Sequence, residues 1–185
     1  MDDLYIKKVL NGDVDAFRYF VHQYKDQAFN IALSVLKNEF DAREAVQEAY
    51  IIAFRKLSKY RGRSKFSTWF FRIVINESLK FLKRNRNTVD IESGESESAG
   101  PGYTEIDDIL GREQQIFFID RAMKRIPSNE ALVLTLFYIQ DYSIEEIKDL
   151  TGWTVSKIKV LLHRARKSMY GELNRELSSE KKTLY

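Results

Sequence analysis

The 185-residue chain has no cysteine, only two prolines and only eight glycines. Without cysteine it can form neither disulfides nor thiolate zinc sites, and it lacks a cysteine nucleophile. Scarce proline and glycine, with abundant leucine, lysine, glutamate and alanine, favour helices nearly throughout. No run of strict apolar and polar alternation indicates a sheet, so the sequence predicts an all-α fold.

Long apolar runs are also missing. No segment approaches the roughly 20 residues that a membrane span needs, and the N-terminus MDDLYIKKVLNGD has no signal-peptide core. We therefore expect a cytoplasmic protein without direct membrane insertion. The sequence has no Gly-rich phosphate loop and no metal-ligand cluster, and His22 and His163 lie far apart along the chain. An enzyme with a cofactor or a small-molecule substrate is therefore not indicated.

Charges of both signs are present, but they are segregated along the chain. The net charge of +3 divides into −3 for residues 1–54, +10 for residues 55–86, −8 for residues 87–120 and +4 for residues 121–185. Basic blocks on both sides of an acidic one indicate two anion-binding modules. The alternative is that each block is simply a solvated face.

The acidic segment from Asn87 to Asp108 is rich in glutamate, serine, glycine and aspartate and has no apolar periodicity. Such a segment cannot bury enough apolar surface to order itself, which predicts a flexible linker. We therefore expect two small helical domains, residues 1–86 and residues 109–185, joined by a linker of residues 87–108.

The first domain contains three predicted helices. Apolar residues recur at helical spacing from Ala16 to Leu36 and from Ala42 to Leu57. The stretch SKFSTWFFRIVINESLKFLKRNRN predicts a third helix from Thr68 to about Arg84, with Ser67 as its N-cap. Its apolar side is typical of a core helix.

The other side of this third helix is polar and cationic, and a basic loop precedes it. Cations for phosphates, aromatic faces for stacking and an asparagine for a base edge are typical of single-stranded DNA binding. Trp69 falls on the polar side, but it can equally pack under a neighbouring helix. The candidate residues are Lys59, Tyr60, Arg61, Arg63, Ser64, Lys65, Trp69, Arg72, Asn76, Lys80 and Lys83.

The second domain begins with a helix from about Asp107 to Arg125 and another that Ser128 caps. Ser143 and Glu146 then form the S-x-x-E pattern of a capping box, which starts a short helix. A glycine-containing turn and one more helix complete a helix-turn-helix pattern.

The last predicted helix runs from Thr154, its N-cap, to Met169. No acidic residue lies between Asp149 and Glu172. Short polar groups and an apolar contact for base edges, with cations at the flanks, are what a recognition helix needs in the major groove. His163 alone is as consistent with a merely exposed residue. The candidate residues are Ser156, Lys157, Lys159, Val160, His163, Arg164 and Lys167.

Four long motifs follow one another along the chain. They are GDVDAFRYFVHQY, DAREAVQEAYIIAFRKLSKYRG, STWFFRIVINESL and IPSNEALVLTLFYIQDYSIEEIKDLTGWTVSKIKVLLHRARKSM. Through them the chain resembles the extracytoplasmic-function sigma factors of the bacterial sigma-70 family over almost its whole length, the linker excepted. The resemblance implies a factor that binds core RNA polymerase and directs promoter-specific initiation. The first domain would recognise and help melt the −10 element, and the second would read the −35 element.

The resemblance also implies the protein partners. The second helix would bind the clamp helices of the polymerase β′ subunit through Asp41, Glu44, Gln47 and Glu48. The second domain would dock on the β-subunit flap. Promoter DNA and an anti-sigma factor are the further implied partners.

The chain departs from the family pattern in three places. Phe54 stands where tryptophan is usual, and Arg43 replaces an acidic residue. In the last helix, KIKVLL replaces the common T-V-K-S-R-L, so either the −35 preference differs or phosphate contacts have moved to Lys157 and Lys159. The main alternative is a helix-turn-helix regulator of duplex DNA acting without core polymerase, which leaves the basic stretch 59–84 unexplained. A helical RNA-binding protein is a weaker third possibility.

Overall fold

The structure is a computed structural model that describes the backbone of residues 1–88 and 111–183 and the side chains of residues 1–85 and 111–178. Within these ranges all regular elements are helices and no strand occurs. The all-α prediction is therefore confirmed. The predicted linker lies outside the described residues except for Asn87 and Thr88, which belong to a helix, and the predicted helix start at Asp107 also lies outside them.

The N-terminal half contains four α-helices and two short 3-10 turns within the described residues. Their bounds are α1 Asp2–Leu10, a 3-10 turn Val14–Phe17, α2 Arg18–Leu36, α3 Glu39–Lys56, a 3-10 turn Leu57–Lys59 and α4 Phe66–Thr88. Helix α1 was not predicted from the sequence. It is attached to α2 by hydrogen bonds from the hydroxyls of Tyr19 and Tyr24 to the Asp2 carboxylate, at 3.0 and 2.7 Å.

An aromatic cluster forms the centre of this half. Phe20 of α2 and Phe66 and Phe70 of α4 are fully or almost fully buried, and the rings of Phe20 and Phe66 lie 4.2 Å apart between centroids. Tyr50 of α3 stacks on Phe70 at 4.5 Å. Because aromatic rings bury large apolar areas, these contacts dominate the packing of α2, α3 and α4.

The start of α4 corrects one sequence prediction. The helix begins at Phe66 rather than at Thr68, and the amide of Trp69 donates to the Lys65 carbonyl at 3.2 Å. Ser67 therefore lies inside the first turn and is not the N-cap. The reason is tertiary, since the buried ring of Phe66 already packs against α2 at the first helical position.

The C-terminal half contains α5 Arg112–Arg125, α6 Ser128–Leu134, a π-helical turn Thr135–Ile139, α7 Ile144–Thr151 and α8 Val155–Thr183. The residue before α6 is Pro127, so Ser128 is the first helical residue and not the cap. Proline supports this start because it needs no amide partner and its φ angle is already restricted.

The capping residues and the glycine turn that were predicted for the helix-turn-helix are present. Ser143 and Glu146 form the capping box that starts α7, with both reciprocal contacts present. Gly152 ends α7 at φ 72°, a left-handed conformation that glycine adopts without strain. The hydroxyl of Thr154 then accepts from the Lys157 amide at 3.2 Å and caps α8.

Helix α8 continues well beyond the predicted end at Met169. Its continuation packs against α5, where the Glu176 carboxylate is only 3% exposed and pairs with both Arg121 and Arg125. Arg125 also approaches Glu172 at 3.5 Å. These ion pairs join residues about 50 positions apart, so helical periodicity alone did not indicate them.

The two halves are packed against each other. Helix α2 contacts α6, and α4 contacts α7. The ammonium of Lys37 donates to the Met123 carbonyl at 2.6 Å, and the guanidinium of Arg72 donates to the Asp149 carbonyl, with its Nε at 2.9 Å. Met123 and Asp149 lie in the last turns of α5 and α7, where free carbonyls and the helix dipole attract cations.

None of the described helices is long and apolar enough to cross a membrane.

Candidate nucleic-acid interface

One side of α4 presents a row of polar and cationic side chains. Arg72, Asn76, Lys80 and Lys83 are all exposed, and their spacing of three and four residues places them along one face. We call these four residues the α4 strip. Helix α4 can carry the strip because its opposite face is anchored in the aromatic cluster, so the strip is held on a rigid element.

Arg72, the first residue of the strip, already has a partner in this structure. Its guanidinium donates to the Asp149 carbonyl at the end of α7. The side chain nevertheless remains exposed, so it is accessible from solvent while it forms this contact. Lys80 is also paired, at 2.6 Å, with the Glu77 carboxylate.

The basic loop lies at the N-terminal end of α4. Lys59, Arg61, Arg63, Ser64 and Lys65 are exposed, and Gly62 takes a left-handed φ of 65° that lets the loop reverse. The Tyr60 hydroxyl donates to the Ser64 carbonyl across the loop. Its pKa is raised, first by burial and then by the carboxylates of Asp3 and Asp2, so the hydroxyl keeps its proton.

The sequence left open whether Trp69 faces DNA or packs against a neighbouring helix, and its position is intermediate. It is half-buried, and its ring lies 5.4 Å from that of Tyr60 and 5.6 Å from that of Phe66. Trp69 thus belongs partly to the core and partly to the surface beside the loop. The ring attaches the loop tyrosine to α4.

Helix α8 presents the second cationic surface. The side chains of Ile158, Leu162 and Ala165 are buried beneath it. Val160 is 50% exposed although it is apolar, so it is accessible for contact with a thymine methyl. The exposed residues of this recognition face are Ser156, Lys157, Lys159, Val160, His163, Arg164 and Lys167.

Two contacts position the ends of the recognition face. The ammonium of Lys157 lies 4.4 Å above the ring of Trp153, a cation–π contact at the start of α8. Farther along α8, Arg166 donates to the hydroxyl of Tyr138 in the π-helical turn at 3.1 Å. Sequence reasoning had not identified Tyr138, because its place beside α8 depends on the turn that follows α6.

The face predicted to bind polymerase lies on α3. Glu44 and Gln47 are exposed, whereas Asp41 and Glu48 are half-buried. The Asp41 carboxylate accepts from the side-chain amide of Asn85 at 2.9 Å, which ties the start of α3 to α4. The buried face of α3 consists of small side chains that let α3 approach its neighbours closely, namely Ala42, Ala45, Ala49 and Ala53.

A single ring adds an apolar element to this face. Phe40, which no prediction had included, is 71% exposed next to Asp41. Aromatic residues are enriched in protein–protein interfaces, so the Phe40 ring adds a candidate contact to this face. Among the described residues no group of histidine, aspartate and glutamate side chains is arranged to hold a metal ion.

Family comparisons match both halves of the chain. The Sigma-70 region 2 family matches residues 20–88, and the Sigma-70 region 4 family matches residues 119–169. The chain therefore belongs to the sigma-70 family of transcription factors. Within that family it belongs to the extracytoplasmic-function RNA polymerase sigma factors, as its relatives indicate.

Two curated relatives are similar over almost their full lengths. The extracytoplasmic-function RNA polymerase sigma factor SigW of Bacillus subtilis is 27% identical over 176 residues, which cover 91% of this chain and 94% of SigW. The extracytoplasmic-function RNA polymerase sigma-E factor of Escherichia coli K12 is also 27% identical, covering 91% of this chain and 92% of the relative.

Two solved structures share the fold. CnrH, in complex with the cytosolic domain of CnrY, aligns with a TM-score of 0.65 at 17% identity and covers 93% of this chain and 96% of CnrH. The sigma factor RpoE of Bartonella quintana, in complex with the anti-sigma factor NepR, aligns with a TM-score of 0.63 at 20% identity and covers 85% and 96%.

Proposed function

We propose that the protein binds core RNA polymerase and directs promoter-specific transcription initiation, acting by binding rather than by catalysis. The observation that carries the proposal is that one chain combines two cationic surfaces, the α4 strip with its loop and the recognition face of α8. The division into residues 1–86, 87–108 and 109–185 belongs to the proposal. So does a cytoplasmic location, where the polymerase works.

The recognition face of α8 reads the −35 element. It is exposed along one side and supported by buried aliphatic side chains on the other, which suits insertion into the major groove. Lys157, Lys159, Arg164 and Lys167 supply phosphate contacts, and Ser156, Val160 and His163 reach base edges. Lys157 stands where the family pattern carries threonine, and it supplies a phosphate contact in place of the arginine that the pattern carries at 161.

The α4 strip and the basic loop recognise the −10 element and help to melt it. Melting leaves unpaired bases that need stacking partners, and Tyr60 and Trp69 provide two neighbouring rings at the end of the strip. Unstacking a base costs a few kcal/mol, which contacts of this kind must offset. Lys59, Arg61, Arg63 and Lys65 are placed to follow the phosphates of the separated strand.

The α3 face binds the clamp helices of the β′ subunit. Glu44 and Gln47 are exposed and available for this contact, and exposed Phe40 supplies apolar area beside them. The C-terminal half docks on the β-subunit flap. An anti-sigma factor is a further partner, since the sigma factor RpoE of Bartonella quintana was solved in complex with one.

The deciding experiment mixes the purified full-length protein with bacterial core polymerase and a promoter-library DNA. We expect co-elution with the polymerase and transcripts that start at a defined subset of library members. Binding to duplex DNA without polymerase, and no transcript with it, would instead indicate a conventional helix-turn-helix regulator.

Separate variants test the division of surfaces. Asn76→Ala and Trp69→Ala should reduce strand opening, measured by permanganate reactivity of unpaired thymines, while co-elution with polymerase is retained. Gln47→Ala combined with Glu48→Ala should weaken co-elution first. Asn30→Ala, which removes an exposed asparagine of α2, serves as the matched control. Equal defects in both pairs of variants would contradict the assignment of strand opening to α4 and of polymerase binding to α3.

A further inference from the structure

Arg166 lies on one flank of α8, beside the recognition face. Lys159, His163 and Arg166 are all exposed, and their spacing of four and three residues aligns them along the helix. Helical projection turns Arg166 about 120° away from Val160, so it lies towards the edge of the exposed side. When a recognition helix enters the major groove, its flanks face the phosphates that border the groove. Arg166 is therefore placed at the height of a phosphate rather than of a base.

The partner of Arg166 is a neutral group. Its Nη1 atom donates to the Tyr138 hydroxyl at 3.1 Å. Arg175, nine residues later on the same helix, pairs instead with the Glu172 carboxylate at 2.7 Å. A carboxylate cancels the charge of its arginine locally, whereas a hydroxyl accepts one hydrogen bond and leaves the charge in place. Arg166 thus keeps both its charge and its remaining N–H donors for an anion.

Tyr138 is held by the π-helical turn that follows α6. The Gln140 amide donates to the Thr135 carbonyl at 2.9 Å, which closes the wide turn. Thr135 and Leu136 are buried, whereas Tyr138 is 56% exposed and its ring lies 4.9 Å from that of half-buried Phe137. Turns of this kind occur frequently at functional sites. The turn therefore gives the Tyr138 hydroxyl a defined position beside α8.

We propose that Arg166 binds a phosphate of duplex DNA at the edge of the major groove and that Tyr138 is the residue that positions it. The proposal deepens the proposed function and rests on it, because it requires α8 to lie against duplex DNA. A long, flexible arginine loses the freedom of several rotatable bonds when it binds a phosphate. The Tyr138 hydroxyl removes part of that freedom before DNA arrives, so less is lost on binding.

The test measures binding of the full-length protein to a short fluorescein-labelled duplex of mixed sequence by fluorescence anisotropy. Phosphate contacts act on any sequence, so the probe needs no promoter. The logarithm of the binding constant is plotted against the logarithm of the KCl concentration, and the slope reports how many phosphates the protein neutralises. In Arg166→Gln this slope should become shallower by about 0.9, the value for one phosphate of B-DNA. Arg175→Gln is the matched control and should keep the slope, because Glu172 already pairs with Arg175.

A second variant separates positioning from a merely structural contact. Tyr138→Phe should weaken binding about fivefold at fixed salt, as expected for one side chain that must now be ordered on binding, and should leave the slope unchanged. In the Arg166→Gln background the same change should have an effect below about twofold, since no arginine is left to position. A hydroxyl that only joined the turn to α8 would have the same effect with and without Arg166.

Four results would overturn the proposal. They are no binding of the unsubstituted protein to the duplex, an unchanged slope in Arg166→Gln, equal effects of Tyr138→Phe with and without Arg166, and tighter binding of Tyr138→Phe. The last result would mean that the hydroxyl holds Arg166 away from DNA. The slope of Arg166→Gln decides whether the phosphate contact exists even if Tyr138→Phe fails to fold. Failure of the proposed function would appear elsewhere, as missing co-elution with polymerase and missing promoter-dependent transcripts.

Discussion

The ammonium of Lys37 offers a test of the contact between the two halves. Its side chain is half-buried where α2 meets the C-terminal half, and it donates to the Met123 carbonyl. Burial lowers the pKa of Lys37 to about 8, because the charged form is poorly solvated there. In the unfolded chain a lysine has a pKa of about 10.4. We predict that replacing Lys37 by methionine removes a pH dependence of folding stability.

The direction of this pH dependence follows from the number of protons that each state binds. Between the two pKa values the unfolded chain binds more protons than the folded one, so the free energy of unfolding rises with pH. The full shift would add about 2 kcal/mol between pH 7 and pH 9.5. Water screens a half-buried group, however, so we expect about 1 kcal/mol, or a rise of roughly 2–4 °C in melting temperature.

The window ends near pH 9.5 because buried tyrosines act in the opposite direction. Burial raises the pKa of both Tyr24 and Tyr50, so their contribution to stability is lost as the pH rises through the unfolded value of about 10. Below that value the lysine dominates.

The assay is thermal or urea unfolding at several pH values between 7 and 9.5. Lys37→Met should unfold with the same stability across this range, apart from the background that all variants share. Lys25→Met is the matched control, because Lys25 is an exposed lysine of α2, the helix that Lys37 directly follows. Parallel pH profiles for the unsubstituted protein and Lys37→Met would refute the reasoning.

Two further predictions concern the folding of each half. Phe70→Ala removes a fully buried ring that stacks on Tyr50, and it should lower the free energy of unfolding by about 3–5 kcal/mol in urea titrations; a loss below about 1 kcal/mol would contradict the role of the aromatic cluster. Ser143→Ala removes the hydroxyl that caps α7 and should cost about 1 kcal/mol, seen as a lower melting temperature, whereas the neighbouring Glu145→Ala should change it little.

Local signals made much of the fold predictable. The helical periodicity of Ala16 to Leu36 and the capping box at Ser143 and Glu146 are visible in consecutive residues, and both predictions are confirmed. The ends of helices were less predictable because tertiary contacts determine them. Helix α4 starts early since Phe66 packs on α2, and α8 continues past Met169 since its later turns pair with α5.

The candidate site was predictable to the extent that it depends on single helices. Projection of α4 and α8 placed their cationic residues together, and these residues are exposed. Contacts that join separate segments of the chain could not be predicted from one helix. The Arg72 contact with Asp149 depends on the packing of two segments that are 77 residues apart.

The length of α8 has a mechanical consequence. Val160 and Glu176 belong to one uninterrupted 29-residue helix and are separated by about 24 Å along its axis. A helix of this length behaves as a stiff rod, so the end that carries the recognition face and the end held by Arg121 and Arg125 turn together. The helix therefore transmits a rotation from one of its ends to the other. A partner that shifts α5 by a small angle also tilts the recognition face of α8.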